Sequence, residues 1–215
     1  MTGHPVFAWF YAHVVSRAEA KHGTLEQRLK LLPLARGTVL ELGAGNGNNL
    51  PHYPDAVTDV LASEPDPAMR RYLAEALQGA SRATRIVPAP AETLPVDGGS
   101  IDTVVSTLTL CSVQDVAGAL AEAHRVLRPE GRLLIYEHVR SVDPGFARRQ
   151  DRWERLWGRI AGGCHPNRDT ESAIRDAGFA FEQIERFDVP GTWLAKPHIR
   201  GVARKSPSPS DPASS

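Results

Sequence analysis

Neither sign of charge prevails in this chain. Its 25 Lys+Arg are matched by 25 Asp+Glu, for a formal net charge of zero and a pI of about 7.1. No basic field is available to hold a nucleic-acid backbone, so no nucleic-acid partner is expected. Cysteine is scarce: Cys111 and Cys164 are the only two. A disulfide scaffold is therefore not expected, and a reducing cytoplasm is the default location. Neither cysteine sits at metal-ligand spacing, and the adjacent Cys164 and His165 are too few ligands for zinc, so no metal site is expected. No apolar run is long enough to cross a bilayer. The first residues also lack the basic stretch and small-residue cleavage site of a signal peptide. With 41% hydrophobic residues and a mean hydropathy of -0.29, a soluble globular protein remains. A length of 215 residues suffices for one domain with a sizeable core.

The most informative stretch is residues 39–49. Residues 39–42 are a short apolar run of the kind a buried parallel strand makes, and Gly43, Gly45 and Gly47 then alternate with Ala44 and Asn46. Glycines at this density permit positive φ, so a strand can turn sharply and bring bare amides against a ligand. In an open α/β sheet that turn lies at the carboxyl end of a strand, where ligands bind. Dinucleotide folds space these glycines as G-x-G-x-x-G. Here the spacing is G-x-G-x-G, with Glu41 two residues before the first glycine, which speaks against a nicotinamide dehydrogenase. The combination resembles the first motif of the class I S-adenosylmethionine-dependent methyltransferases, whose loop passes under the methionine and ribose of the cofactor. The resemblance implies S-adenosylmethionine as cofactor, held by Glu41, Gly43, Gly45 and Gly47.

Upstream, Phe7, Phe10, Tyr11, Val14 and Ala18 recur at helical spacing. The stripe either packs on the core or, as in such methyltransferases, walls part of an acceptor pocket, with Tyr11 as the candidate contact. A membrane-surface helix would carry more lysine and arginine on its polar face, which leaves peripheral contact through this helix and no stable insertion. Thr24 and Gln27 form a capping box for a second helix through Leu25, Leu29 and Leu32, ended by Pro33 and Gly37. Residues 1–36 thus read as capping helices, 37–205 as the main domain, and 206–215 as a disordered Ser/Pro-rich tail.

Downstream of the glycines, Pro51 and Pro54 leave room for a turn or two of helix. A strand at 58–62 ends at Glu64, about where an acid meets ribose hydroxyls. Asp66 caps the next helix with Pro67 at its first position, and Met69, Leu73, Ala76 and Leu77 face inward until Gly79. Ile86 and Val87 make a short third strand. Residues 90–95 resemble the loop edging the adenine ring, where many relatives have Asp-Ala-Glu. Pro90 replaces that Asp, leaving backbone near Ala91 with Glu92 nearby. A fourth strand at 101–106 runs into Thr107 and past the sulfonium end of the cofactor. Asn/Asp-Pro-Pro-Tyr is missing there, against a nucleic-acid amine as acceptor. Cys111 has no partner nearby in sequence and reads as a buried structural cysteine.

A helix through Ala119, Leu120, Ala123 and Val126 leads to a fifth strand at 132–136. His138 follows it, either a general base or a hydrogen-bonded structural histidine. Trp153 and Trp157 share one helix face, walling an acceptor pocket or packing helix on sheet. Asp169 or Thr170 caps a helix holding Ile174 and Ala177. Strands at 181–187 and 198–203 form a terminal hairpin. The expected fold is α/β and Rossmann-like, the class I methyltransferase architecture. It has a seven-stranded, mostly parallel sheet, an antiparallel edge strand and helices on both faces.

Several runs narrow the resemblance. Those at 99–102 and 107–113, the run Glu137-His138-Val139, Gly163 with Cys164, residues 167–170, and Pro197-His198-Ile199 with Gly201 are similar to the mammalian methyltransferase-like alkyl thiol methyltransferases. Those enzymes methylate small lipophilic thiols and carry an N-terminal membrane anchor. This chain begins at the segment following one, so no anchor is expected. The chemistry agrees: a thiol, with a free pKa of about 8.5, supplies some thiolate near neutrality, while a phenol at about 10 needs a base. The expected function is methyl transfer to a small lipophilic acceptor, best a thiol. A quinol or phenol acceptor, and a cofactor-binding fold without turnover, stand as alternatives. Arsenite methylation is disfavoured, since it relies on several cysteines.

Overall fold

The computed structural model describes residues 5–15, 23–78 and 82–206. Its centre is a sheet of seven strands: β1 (Gly37–Leu42), β2 (Val57–Ser63), β3 (Ala83–Val87), β4 (Ile101–Thr107), β5 (Leu127–His138), β6 (Phe179–Asp188) and β7 (Pro197–Lys205). Their order is β3-β2-β1-β4-β5-β7-β6. Strands β1 to β5 pair in parallel, whereas β7 runs antiparallel to both β5 and β6. The expected hairpin is there, with the antiparallel strand one place in from the edge. The strand order reverses between β1 and β4, so a crevice opens at their carboxyl ends.

Alternation along the strands fixes what each face sees. Leu40, Leu42, Val104, Leu133 and Ile135 join the core packed by α4 (Val116–Val126) and α6 (Thr170–Asp176). Val39, Val105, Leu134 and Tyr136 join the opposite core, which takes Leu31 of α2 (Thr24–Leu31). Helices therefore cover both faces. Glu41 shares the parity of Val39, Thr107 that of Val105, and His138 that of Tyr136, so all three belong to the α2 face. Glu137 belongs to the other. Helix α4 shows why it docks: Ala119, Leu120, Ala123 and Val126 are wholly buried at helical spacing. Each large apolar side chain so buried contributes roughly 1.5–3 kcal/mol.

Asp66 caps α3 (Pro67–Leu77) as expected, accepting from the amides of Ala68 and Met69. Within α3, Met69 and Leu73 are buried, while Ala76 is exposed and Leu77 half-buried. Asp143 caps α5 (Pro144–Ile160), and Asp169, not Thr170, caps α6. The residues after the glycines make only one 3-10 turn, Leu50–His52.

Two expectations are corrected. No capping box opens α2: Gly23 holds the N-cap position at φ 90, and no side chain caps the helix. Thr24 is buried and accepts from the Tyr136 hydroxyl, while Gln27 accepts from Arg200. The buried face of α2 is Thr24, Arg28 and Leu31, and Leu29 is left 48% exposed. On α1 (Pro5–Phe10), which continues as a π-turn over Tyr11–Val15, core packing does not account for the stripe at Phe10 and Val14, which are 45% and 43% exposed. Ala8 is buried there, and the segment leans on α3, with the His13 ring edge-on to Tyr72. Ala18, Gly79 and the tail from 207 lie outside the described residues.

Candidate active site

A cavity of ≈ 1360 Å³ opens over the carboxyl ends of β1 and β4. That exceeds the roughly 300–1,000 Å³ of a one-ligand pocket, leaving room for two molecules side by side. One end is the glycine loop. Gly43 and Gly45 both hold φ +58, and a Cβ at Gly45 would meet nothing nearer than the Gly43 carbonyl at 4.0 Å. Glu64, 6% exposed at the tip of β2, accepts from the Gly45 amide at 2.9 Å and the Asp66 amide at 2.8 Å. Burial is the main cause holding its carboxyl above the usual range.

Beside the loop lies a buried polar network that sequence patterning did not show. Glu41 accepts from Asn49 Nδ2 at 2.8 Å and from the Tyr53 hydroxyl at 2.9 Å. Arg28 donates to Asn49 Oδ1 at 2.5 Å and to Thr107 Oγ1 at 2.8 Å, and Asn49 also donates to Thr107 at 3.0 Å. The network ties α2, β1, the turn after the glycines and β4 together. Burial pushes Glu41 up to about 7, against the two donors and Arg28. Arg28 sits among leucines in α2, so its stretch reads as an ordinary exposed position. Only the pairing of Thr24 with Arg28 at i, i+4 hints at the inward face.

At the other end, the chain leaves β4 through Leu108 at φ 57 and runs to Cys111. Glu137, wholly buried, organises this turn: it accepts from Ser106 Oγ at 2.7 Å and from the amides of Thr109 and Leu110 at 3.0 Å and Cys111 at 3.3 Å. The Cys164 loop is fastened to it. The His165 amide donates to the Cys111 carbonyl at 2.7 Å, and Arg168 donates to the carbonyls of Leu110 and Val113 at 2.5 and 2.7 Å. Cys111, His138 and Cys164 thus converge on the cavity, their ligand atoms all within 4.8 Å of one another. His138 Nδ1 is 3.3 Å from Cys164 Sγ. The hydrogen bond from Cys111 pulls the Cys164 thiol down and pushes that of Cys111 up. The fold gives each cysteine a partner that sequence spacing did not.

Comparison with known proteins places this geometry. The family described as "Methyltransferase domain" matches residues 40–135. Human thiol S-methyltransferase TMT1B is 37% identical over 196 residues, covering 88% of this chain and 80% of that protein. The chain belongs to the class I S-adenosylmethionine-dependent methyltransferases. Solved methyltransferase folds agree in shape. A Haloferax volcanii protein in complex with the Trm112 methyltransferase activator superposes with a TM-score of 0.72, at 17% identity, over 96% of this chain and 100% of that one. The Burkholderia thailandensis 1,6-didemethyltoxoflavin-N1-methyltransferase, solved with S-adenosylhomocysteine, gives 0.66 at 20% identity over 94% and 86%.

The methyl donor of this methyltransferase is S-adenosylmethionine, and the loop end of the cavity fits it. The space above Gly45 is open, and Glu64 has spent two of its roughly four acceptor positions, leaving two for a ribose. Ala91, Glu92, Thr107, Glu41 and Tyr11 all border the cavity as expected. Two of them have further partners: Glu92 accepts from the amides of Gln114 and Asp115, and Thr107 from Arg28 and Asn49. Gly47 departs from expectation. It lies off the cavity, where a Cβ would press within 3.0–3.2 Å on Leu50, Ala76 and Leu73, so helix packing demands the glycine there. Trp157 borders the cavity but Trp153 does not; the latter is 39% exposed, its ring 6.3 Å from that of Trp193. The i, i+4 spacing puts both on one face, and the turn between them carries Trp153 past the cavity rim.

Proposed function

We propose that this methyltransferase methylates the sulfur of a small lipophilic thiol. The observation that carries the reading is the 37% identity to a protein named as a thiol S-methyltransferase, running through both ends of the cavity. The geometry supports it. Beyond the glycine loop, Leu108, Val113, Trp157, Ala161 and Ala195 give the cavity wall apolar surface for a lipophilic acceptor, set among polar groups such as His138, His165 and Arg168. No helix among the described residues is long and apolar enough to cross a membrane. Both cysteines are free thiols, as the reducing cytoplasm we propose for this enzyme would keep them.

When bound, the cofactor supplies an already activated methyl group. The work left to the chain is alignment and exclusion of water. Gly43 and Gly45 let the loop backbone approach, Glu64 offers its free lone pairs to the ribose hydroxyls, and the backbone at Ala91 borders the adenine. Arg28, a buried cation of this wall, suits the carboxylate of the methionine moiety. Leu108 and Trp157 keep the acceptor end dry. A thiol acceptor, with a pKa of about 8.5, loses its proton more readily than a phenol at about 10.

The test is methyl transfer from labelled S-adenosylmethionine across matched lipophilic thiols, phenols and quinols. Thioether formation with the thiols, at rates well above the other two classes, is expected. Turnover of phenols or quinols alone would overturn the thiol reading and make His138, at the cavity wall, the first candidate for a base.

A further inference from the structure

We infer that Cys111, His138 and Cys164 form a zinc site whose fourth position takes the acceptor thiolate. The inference rests on the thiol reading above for the identity of that fourth ligand, and on geometry alone for the metal. Nothing in the sequence suggested it, because the three ligands come from three segments that only the fold assembles.

Three observations carry it. The donor set is right: two thiol sulfurs and an imidazole are what zinc selects, and three protein ligands with one open position is the pattern of catalytic rather than structural zinc. The spacing is near that of a tetrahedral site. Bonds of about 2.0–2.3 Å hold ligand atoms roughly 3.3–3.8 Å apart. Here His138 Nδ1 and Cys164 Sγ stand at 3.3 Å, and all three atoms lie within 4.8 Å of one another. The scaffold is also built to hold them. Glu137 accepts from the Cys111 amide, the His165 amide donates to the Cys111 carbonyl, and Arg168 ties the two loops through Leu110 and Val113. Cys111 and Cys164 are 1% and 5% exposed, yet both border the cavity with His138, so the face left open looks onto the acceptor space.

The chemistry follows directly. Zinc with two thiolates and a neutral imidazole carries no net charge, which a largely apolar cavity tolerates. An acceptor thiol binding at the open position loses its proton to solvent and is held as thiolate at neutral pH. Its sulfur then forms the new S–CH₃ bond as the methyl–sulfonium bond of the donor breaks. The thioether product is uncharged, a weaker ligand, and leaves together with S-adenosylhomocysteine. No electron is gained or lost.

The experiment uses the full chain, purified under reducing conditions without chelator. Elemental analysis should find about one zinc per chain, and competition against a chromophoric chelator gives its affinity. Cys111→Ser, Cys164→Ser and His138→Ala should each weaken that affinity on the order of a hundredfold, since each removes one of three ligands. Circular dichroism of each variant shows whether it has folded, and the wild-type titration needs no variant. Cobalt replacing zinc should give the intense visible bands of a tetrahedral site and a thiolate-to-cobalt band. A lipophilic thiol added without methyl donor should shift that band, and a matched alcohol should not. A wild-type chain that binds zinc no more tightly than the triple variant overturns the site, as does a Cys111–Cys164 disulfide in the freshly purified protein. Tight metal with a cobalt spectrum indifferent to thiol overturns the activation. Neither outcome depends on turnover, so failure of the thiol assay remains a separate result.

Discussion

Glu64 Oε2 and the Gly45 amide meet at 2.9 Å, joining the tip of β2 to the turn that follows β1. One carboxylate thereby shapes the glycine loop and keeps acceptor positions for a ribose. Glu64→Ala should weaken S-adenosylmethionine binding by roughly ten- to a hundred-fold, the scale of charge-assisted hydrogen bonds. Gly45→Val should abolish binding; its side chain enters open space, so the cost to the fold is only the strain of φ +58, roughly 1–3 kcal/mol. Calorimetric titration checks both, and unchanged affinity in the two variants would remove the cofactor from this loop.

The neighbouring glycine should behave oppositely. At φ +83, with Leu50, Ala76 and Leu73 within 3.0–3.2 Å of any Cβ, Gly47→Ala should cost about 1–3 kcal/mol of stability. Cofactor affinity of the folded variant should change little. Thermal melts paired with calorimetry decide the point; a large loss of affinity without loss of stability would place Gly47 at the ligand after all.

Glu41 makes stability depend on pH. Its carboxyl rises from 4.5 to about 7 on folding, so the folded state holds its proton more tightly. The contribution is fully present below pH 4.5 and is lost as pH climbs through about 7. It amounts to something on the order of 3 kcal/mol. Glu41→Gln cannot titrate, so the difference in melting temperature between wild type and variant should move in the variant's favour across that window. A difference flat in pH would contradict the assignment.

Glu137 sits where four donors converge, and an amide there must turn its NH₂ toward at least one of them. Glu137→Gln should lose roughly 2–3 kcal/mol, or about 5–10 °C in melting temperature for a chain of this size. Ser106→Ala, which removes a single donor, should lose less. Equal melting of wild type and Glu137→Gln would show that the turn before Cys111 is held by something else.

What the sequence made legible was local. Alternating glycines after an apolar run, Asp66 before Pro67, and two prolines around a stunted turn each act through neighbours in the chain, and each is found as expected. Register across the sheet was less accessible: Leu25, Leu29 and Leu32 suggested one inward face for α2, whereas Arg28 sets another by reaching Asn49 and Thr107. The capping box failed for the same reason, since Thr24 is taken up by Tyr136 from β5. Least legible were the groups that only the closed sheet assembles. Cys111 follows β4, His138 ends the adjacent β5, and Cys164 arrives 26 residues after His138 from a loop fastened by Arg168. No spacing rule reports such a meeting.

The acceptor atom is the centre of the account, and one molecule can decide it. A lipophilic mercaptophenol presents a thiol and a phenol to the same cavity, at the same concentration and with the same apolar body. Incubated with the enzyme and labelled S-adenosylmethionine, it should return the label on sulfur alone, identified by mass spectrometry of the product. Label on oxygen, with the thiol left free, would contradict sulfur as the acceptor.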